Sequence, residues 1–231
     1  MNRFINIFMA CLLLAGVYCV AWLVPPRAEE VSGTETKDSF LIVIDPGHGG
    51  SDPGKVSDTG LLEKDINLEI ALLLKEELGS DYRVILTRES DAGLYSENDT
   101  NKKASDMRER CRIIEEEKAD MLISIHQNSY TDPDVKGAQV FYYTHSAEGK
   151  KLAESIQNSI KEIASPDNNR VSKSNNDYYM LLHTSCPAVI VECGFLSNPG
   201  EAELLNSKDY QKLIVSAIKK GIEDYLSEGK I

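Results

Sequence analysis

Three apolar, strand-like runs in this chain each stop at a segment that carries chemistry, and this limits the fold more than any other feature. Residues 40–44 run into Asp45-Pro46-Gly47-His48-Gly49-Gly50, residues 121–125 into His126-Gln127-Asn128-Ser129, and residues 188–191 into Glu192-Cys193-Gly194-Phe195. Short apolar runs bounded by turn residues read as strands buried on both faces. Helical periods lie between them. Residues 64–78 carry Ile66, Ile70, Leu73 and Leu74 and stop at Gly79, and residues 105–118 place Met107, Cys111 and Ile114 on an inner face. Residues 147–163 and 213–226 are amphipathic, and Asn198-Pro199-Gly200-Glu201 supplies a cap, a first-turn proline and a glutamate three residues after the cap. Further strands are expected over 82–87 and 138–143, and polar loops over 91–103 and 165–177.

Strands alternating with helices predict an α/β fold, a single domain with an open, mostly parallel twisted sheet and helices on both faces. Ligands of such sheets bind in a crevice at the carboxyl ends of the strands. His48, His126 and Glu192 fall at or just past such ends, and Glu63 starts a helix returning from the same edge. Four residues far apart in sequence are therefore expected on one rim.

The 231 residues suffice for one domain with a proper core. A net charge of −12 argues against a nucleic-acid partner, which needs a basic footprint. It also argues against capture of an anionic membrane or wall polymer by charge. Residues 4–24 form a run of 21 residues without a formal charge, preceded by Arg3 and ended by Pro25-Pro26, with Trp22 near its outer end. An uncleaved signal anchor is favoured over a signal peptide, because Pro26-Arg27-Ala28 is a poor cleavage site. Either places the domain outside the cytoplasm, with the membrane as a partner through this segment. The expected organisation is a signal anchor or signal peptide over 1–27, a polar linker over 28–39 and a catalytic domain over 40–227. Cys111, Cys186 and Cys193 remain beyond the apolar segment, an odd number that describes no disulfide framework.

Each candidate has a plain reading beside a chemical one. His48 is flanked by glycines, which permit a sharp turn and close approach to a metal, or else a solvated turn. Glu63 is a metal ligand or a first-turn acid serving a helix dipole. His126 directly follows a buried strand and needs a partner, which a metal or a backbone carbonyl satisfies. Glu192 is a general base beside a metal or half of a buried salt bridge. Together they make two imidazoles, one ligand carboxylate and one spare carboxylate. Zinc hydrolases that cut amides use that inventory: three protein ligands, an open position for water, and a base. His145 reads as a surface residue, and His183 as structural or substrate-touching. Cys193 points to the sheet face opposite Glu192 if the strand continues, which makes it a core residue.

The motifs Ile44-Asp45-Pro46-Gly47-His48-Gly49-Gly50, Glu63 with Asn67, Thr87-Arg88, Ala119-Asp120 leading into Ser124-Ile125-His126-Gln127-Asn128-Ser129, and Val191-Glu192-Cys193-Gly194-Phe195-Leu196-Ser197-Asn198 appear in that order over residues 40–225. In this the chain resembles the zinc-dependent N-acetylmuramoyl-L-alanine amidases of the Amidase_3 type. The resemblance implies one Zn2+ held by His48, Glu63 and His126, a catalytic Glu192, and peptidoglycan as substrate. Tyr179-Met180-Leu181-Leu182-His183-Thr184 through Asn198-Pro199, with the membrane-targeting N-terminus, resembles the family's sporulation branch, which implies action in the spore cortex before muramic-δ-lactam forms. Glu115 and Cys193 depart from the usual family pattern without touching the proposed ligands. A zinc carboxypeptidase trimming wall peptides competes, with Arg88 as its carboxylate clamp, as does a non-catalytic wall-binding protein with a structural zinc. The acidic surface leaves substrate capture to the tether or to an activating protein partner that the sequence does not identify.

Overall fold

The structure, a computed structural model, describes residues 40–229. Its elements alternate as the apolar periods predict: β1 (Leu41–Pro46), α1 (Glu63–Leu78), β2 (Arg83–Leu86), α2 (Lys102–Glu116), β3 (Met121–Asn128), β4 (Gln139–Tyr143), α3 (Ala147–Ile163), β5 (Lys173–Asn175), α4 (Tyr179–Leu182), β6 (Ala188–Phe195), α5 (Pro199–Leu205) and α6 (Lys208–Glu228). Six strands form one mixed sheet in the order β2-β1-β3-β6-β4-β5. All neighbours pair in parallel except β4 with β6.

The pleat divides the core. Ile42, Ile44, Ile123, Ile125, Val189 and Val191 face one way, against Ile66, Ile70 and Leu74 of α1, Ile156 of α3 and Ile218 of α6. Leu41, Val43, Leu122 and Ile190 face the other way, against Cys111 and Ile114 of α2 and Met180 and Leu181 of α4. Helices α3 and α6 cross so closely that a Cβ at Gly221 would lie 2.5 Å from the Ile156 Cα. Cys193 is fully buried on the α1 side, as a core residue, and Cys111, Cys186 and Cys193 are free thiols.

The differences from expectation have local causes. Helix α2 begins at Lys102, inside the expected loop, because the Asn101 side chain caps it by accepting from the Ala104 N–H at 3.0 Å. Strand β5 and the single turn α4 lie in or next to a segment too polar and too short to show a period. No helix among the described residues is long and apolar enough to cross a membrane. The run over 4–24 and the linker over 28–39 lie outside the described residues.

The chain moves from β1 outward to β2 and then returns across β1 to β3, so the topology switches between β1 and β3. That is where an α/β sheet opens its crevice, and His48 and His126 lie there.

Candidate active site

The site begins with a left-handed turn. Immediately after β1, His48 adopts φ 62°, followed by Gly49 at 135° and Gly50 at 58°. This costly backbone is held by two buried arginines. Arg110 of α2 donates to the carbonyls of Pro46 (2.9 Å) and His48 (2.6 Å). Arg88 donates to the carbonyls of Pro46 (3.0 Å), Gly47 (3.0 Å), Lys64 (2.8 Å) and Ser90 (3.0 Å). Arg110 is itself neutralised by Asp45 at 2.6 Å and Asp106 at 2.5 Å. Burial pushes the Asp45 carboxyl up, but Arg110 and hydrogen bonds from Thr87 and Ser124 outweigh that and hold it at about 2. Asp120, of the Ala119-Asp120 motif, accepts the first N–H of β1 at 2.8 Å. Arg88 is 4 % exposed with its guanidinium engaged by carbonyls, so it does not serve as the substrate clamp that a carboxypeptidase needs.

The expected candidates converge. Glu63, the first residue of α1, is 4 % exposed. Its Oε1 lies 3.2 Å from His48 Nε2 and 3.0 Å from His126 Nδ1, and accepts from the Gln127 N–H at 3.1 Å. Its Oε2 accepts from the Lys55 N–H at 2.7 Å. One donor atom from each of His48, Glu63 and His126 lies within 4.8 Å of the other two. Ligands at about 2.0–2.1 Å from a tetrahedral zinc stand about 3.3 Å apart, close to the two separations from Glu63, so the donor set fits that ion. Asp52 takes the second nitrogen of His48, Nδ1, at 2.9 Å. A carboxylate there fixes the ring and leaves Nε2 for a metal. Space at the cluster is set by glycine, since a Cβ at Gly47 would fall 2.1 Å from His126 Cε1 and one at Gly54 2.5 Å from Glu63 Oε2.

Burial raises the Glu63 carboxyl, but hydrogen bonds and charge from His126 and His48 prevail and hold it well below the carboxylate range. Burial lowers His48, yet Glu63 and Asp52 outweigh it and bring it to about 9. A metal taken up at His48 would therefore have to displace a proton.

His126 and Glu192 sit inside β3 and β6 rather than past their ends. Both strands continue beyond their apolar runs because parallel pairing persists through the His126↔Glu192 register. The two side chains consequently share the sheet face that bears α2 and α4. Glu192 is 7 % exposed. Its Oε1 receives the Tyr178 hydroxyl at 3.4 Å, and its Oε2 is buried without a hydrogen-bond partner. Burial pushes its carboxyl up to about 7 and Glu63 adds to this, against His126, Tyr178 and His48. All four candidates line one cleft of about 650 Å³, with Tyr178, Tyr179, Lys102 and Lys103 on its walls. His145 is exposed. His183 is also exposed, stacks on Tyr179 at 3.9 Å and bonds the Tyr179 carbonyl through Nδ1 at 2.9 Å. Neither lines the cleft.

Residues 42–224 match the family Amidase_3, N-acetylmuramoyl-L-alanine amidase. The chain belongs to that family. It is similar to the germination-specific N-acetylmuramoyl-L-alanine amidase of Bacillus subtilis, at 40% identity over 192 residues, covering 81% of this chain and 80% of the relative. Among solved structures it is similar to the CwlD amidase of Clostridioides difficile, determined in complex with the GerS lipoprotein. That match has a TM-score of 0.79 and 41% identity, covering 81% of this chain and 98% of that one. The amidase AmiC2 of Nostoc punctiforme follows at TM-score 0.71 and 33% identity, over 81% and 97%. The protein is thus an amide hydrolase of the N-acetylmuramoyl-L-alanine amidase class, and peptidoglycan is its substrate class.

Proposed function

We propose that this cleft hydrolyses the amide between the lactyl group of N-acetylmuramic acid and L-alanine, with Zn2+ held by His48, Glu63 and His126 and with Glu192 as general base. The observation that carries this reading is Glu192 Oε2, a buried acceptor without a partner beside a three-donor cluster. A bound zinc supplies Lewis acidity, activating water and polarising the scissile carbonyl. Glu192 takes a proton from the attacking water through Oε2 and returns it to the departing L-alanine amine. Its raised pKa suits both transfers near neutral pH. Asp52 keeps the His48 ring in its tautomer, and Arg88 with Arg110 keeps the turn that aims it.

The biological setting belongs to the same proposal. The germination-specific relative and the CwlD structure favour cortex maturation leading to muramic-δ-lactam. The lipoprotein bound to CwlD supports a protein partner for this chain too. We place the catalytic domain at 40–227, held on the wall side of the membrane by 1–27 through a linker over 28–39. The deciding experiment is mass spectrometry of muropeptides after incubating peptidoglycan with the zinc-loaded protein, with Glu192→Gln as control. Free stem peptides beginning at L-alanine are expected. Stem peptides shortened from the other end would replace this reading with a carboxypeptidase.

A further inference from the structure

Tyr130 is the only exposed phenylalanine, tyrosine or tryptophan among the described residues, with 61% of its surface open. It sits two residues past the end of β3, on a segment fastened at three points. The Tyr130 N–H donates to Ser197 Oγ at 2.9 Å, and the Asn198 side-chain amide donates to the Pro133 carbonyl at 2.7 Å. The Gly137 N–H donates to the buried Glu201 carboxylate at 2.9 Å. On a backbone anchored in this way the ring would meet a ligand at little ordering cost.

Beside it lies a second cavity of about 500 Å³, lined by Lys55, Asp58, Ser129, Tyr130, Thr131 and Ser197 among others. Ser129 lines the catalytic cleft as well, so the two cavities share a wall. Lys55 ties the groove to the cluster directly, since its N–H holds Glu63 Oε2.

We propose that this groove is a glycan subsite, in which the ring of Tyr130 stacks on a sugar of the strand adjoining the scissile muramic acid. The inference rests on the amidase reading and adds where the polymer lies. A pyranose offers a flat C–H face to an aromatic ring and hydroxyls to polar neighbours. Tyr130 matches the first, and Ser129, Thr131, Ser197 and Asp58 match the second. The glycan of an uncut strand is uncharged, because each lactyl carboxyl is tied up in an amide, so a chain of net charge −12 holds it without repulsion. The stem peptide bears free carboxylates and fits elsewhere. Lys102 and Lys103 line the cleft from the start of α2, on the opposite sheet face from the α1 that Lys55 and Asp58 lead into.

The test is calorimetric binding to the full-length, zinc-loaded Glu192→Gln protein in detergent. Two probes carry the same stem tripeptide, one on a single muramic acid and one on a tetrasaccharide. The tetrasaccharide is expected to bind about tenfold more tightly. Tyr130→Ala should bring the ratio of the two Kd values close to one, and Tyr130→Trp should keep it, with all three proteins melting alike. A ratio near one in the parent, or a ratio that Tyr130→Ala leaves intact, overturns the subsite. The amidase reading stands or falls separately, on the products of the wild-type protein.

Discussion

Two glutamates in one cleft behave in opposite ways. Glu63 and Glu192 are almost equally buried, at 4 % and 7 % exposed. Both oxygens of Glu63 are held, Oε1 by two imidazoles and a backbone amide and Oε2 by another amide, and its carboxyl is driven down. Glu192 has one long hydrogen bond and one bare oxygen, and its carboxyl is driven up to about 7. Burial alone raises both; the partners decide the outcome. In the proposed reaction, the carboxylate held ionised is the ligand and the one kept near neutrality is the proton carrier.

The comparison is broken most severely at Glu63. Glu63→Ala removes the charge that gathers both histidines, so zinc content and turnover are expected to vanish together. Metal analysis after dialysis, alongside a muropeptide assay, checks this, and retained zinc would show that the histidines suffice. Glu192→Gln comes next. It should keep zinc and lose about 10²–10⁴ in kcat, the usual contribution of a general base. Its pH signature follows from its sign. With its pKa raised, the base is protonated on the acid side, so wild-type kcat/KM falls about tenfold per unit once pH drops below its pKa. A cation in the cluster favours the ionised form, which places the limb between the ordinary carboxylate range and about 7. A profile at saturating zinc that stays flat from pH 4 to 8 would remove Glu192 from the proton path. Asp52→Ala is milder, weakening zinc about 10–100-fold, the usual effect of losing a ligand's supporting carboxylate. A competition titration with a chelator measures it.

How much of this the sequence disclosed depends on how each residue announces itself. His126 and Glu192 stand out because each ends an apolar run, His48 because glycines flank it in the turn after one, and Glu63 because it opens a helical period. Asp52 carried no such mark, and only the turn folding back brings it to His48. Arg110 looked like one more charge on a polar helix, yet it is 1 % exposed and braces the His48 turn. Arg88 reads in the sequence as a carboxylate clamp, whereas its guanidinium faces backbone carbonyls, which leave no trace in residue identity. The start of α2 was masked by Lys102 and Lys103, cations in a first turn where the helix dipole favours acids. Tyr178 carries no sequence mark, because its partner is fourteen residues away and the intervening segment shows no period.

Tyr178 offers the finest adjustment of the contrast. Its ring packs edge-on against Phe141 at 5.5 Å, and its N–H donates to Asn175 Oδ1 at 2.8 Å, so the hydroxyl is fixed independently of Glu192. At 3.4 Å the bond to Oε1 is long, and such contacts tighten when substrate fills a site. Tyr178→Phe keeps the ring and removes only the donor. A single hydrogen bond of about 0.5–1.5 kcal/mol corresponds to a roughly two- to tenfold loss in kcat, with KM and the melting temperature held. A donor favours the ionised carboxylate, so its removal should also move the acid limb of kcat/KM toward higher pH. If KM rises instead, the hydroxyl faces substrate rather than Glu192. If neither constant moves, β6 alone aims the base, and the difference between the two glutamates narrows to one rule: both oxygens of Glu63 are held by close donors, whereas Glu192 has one distant donor and a bare Oε2.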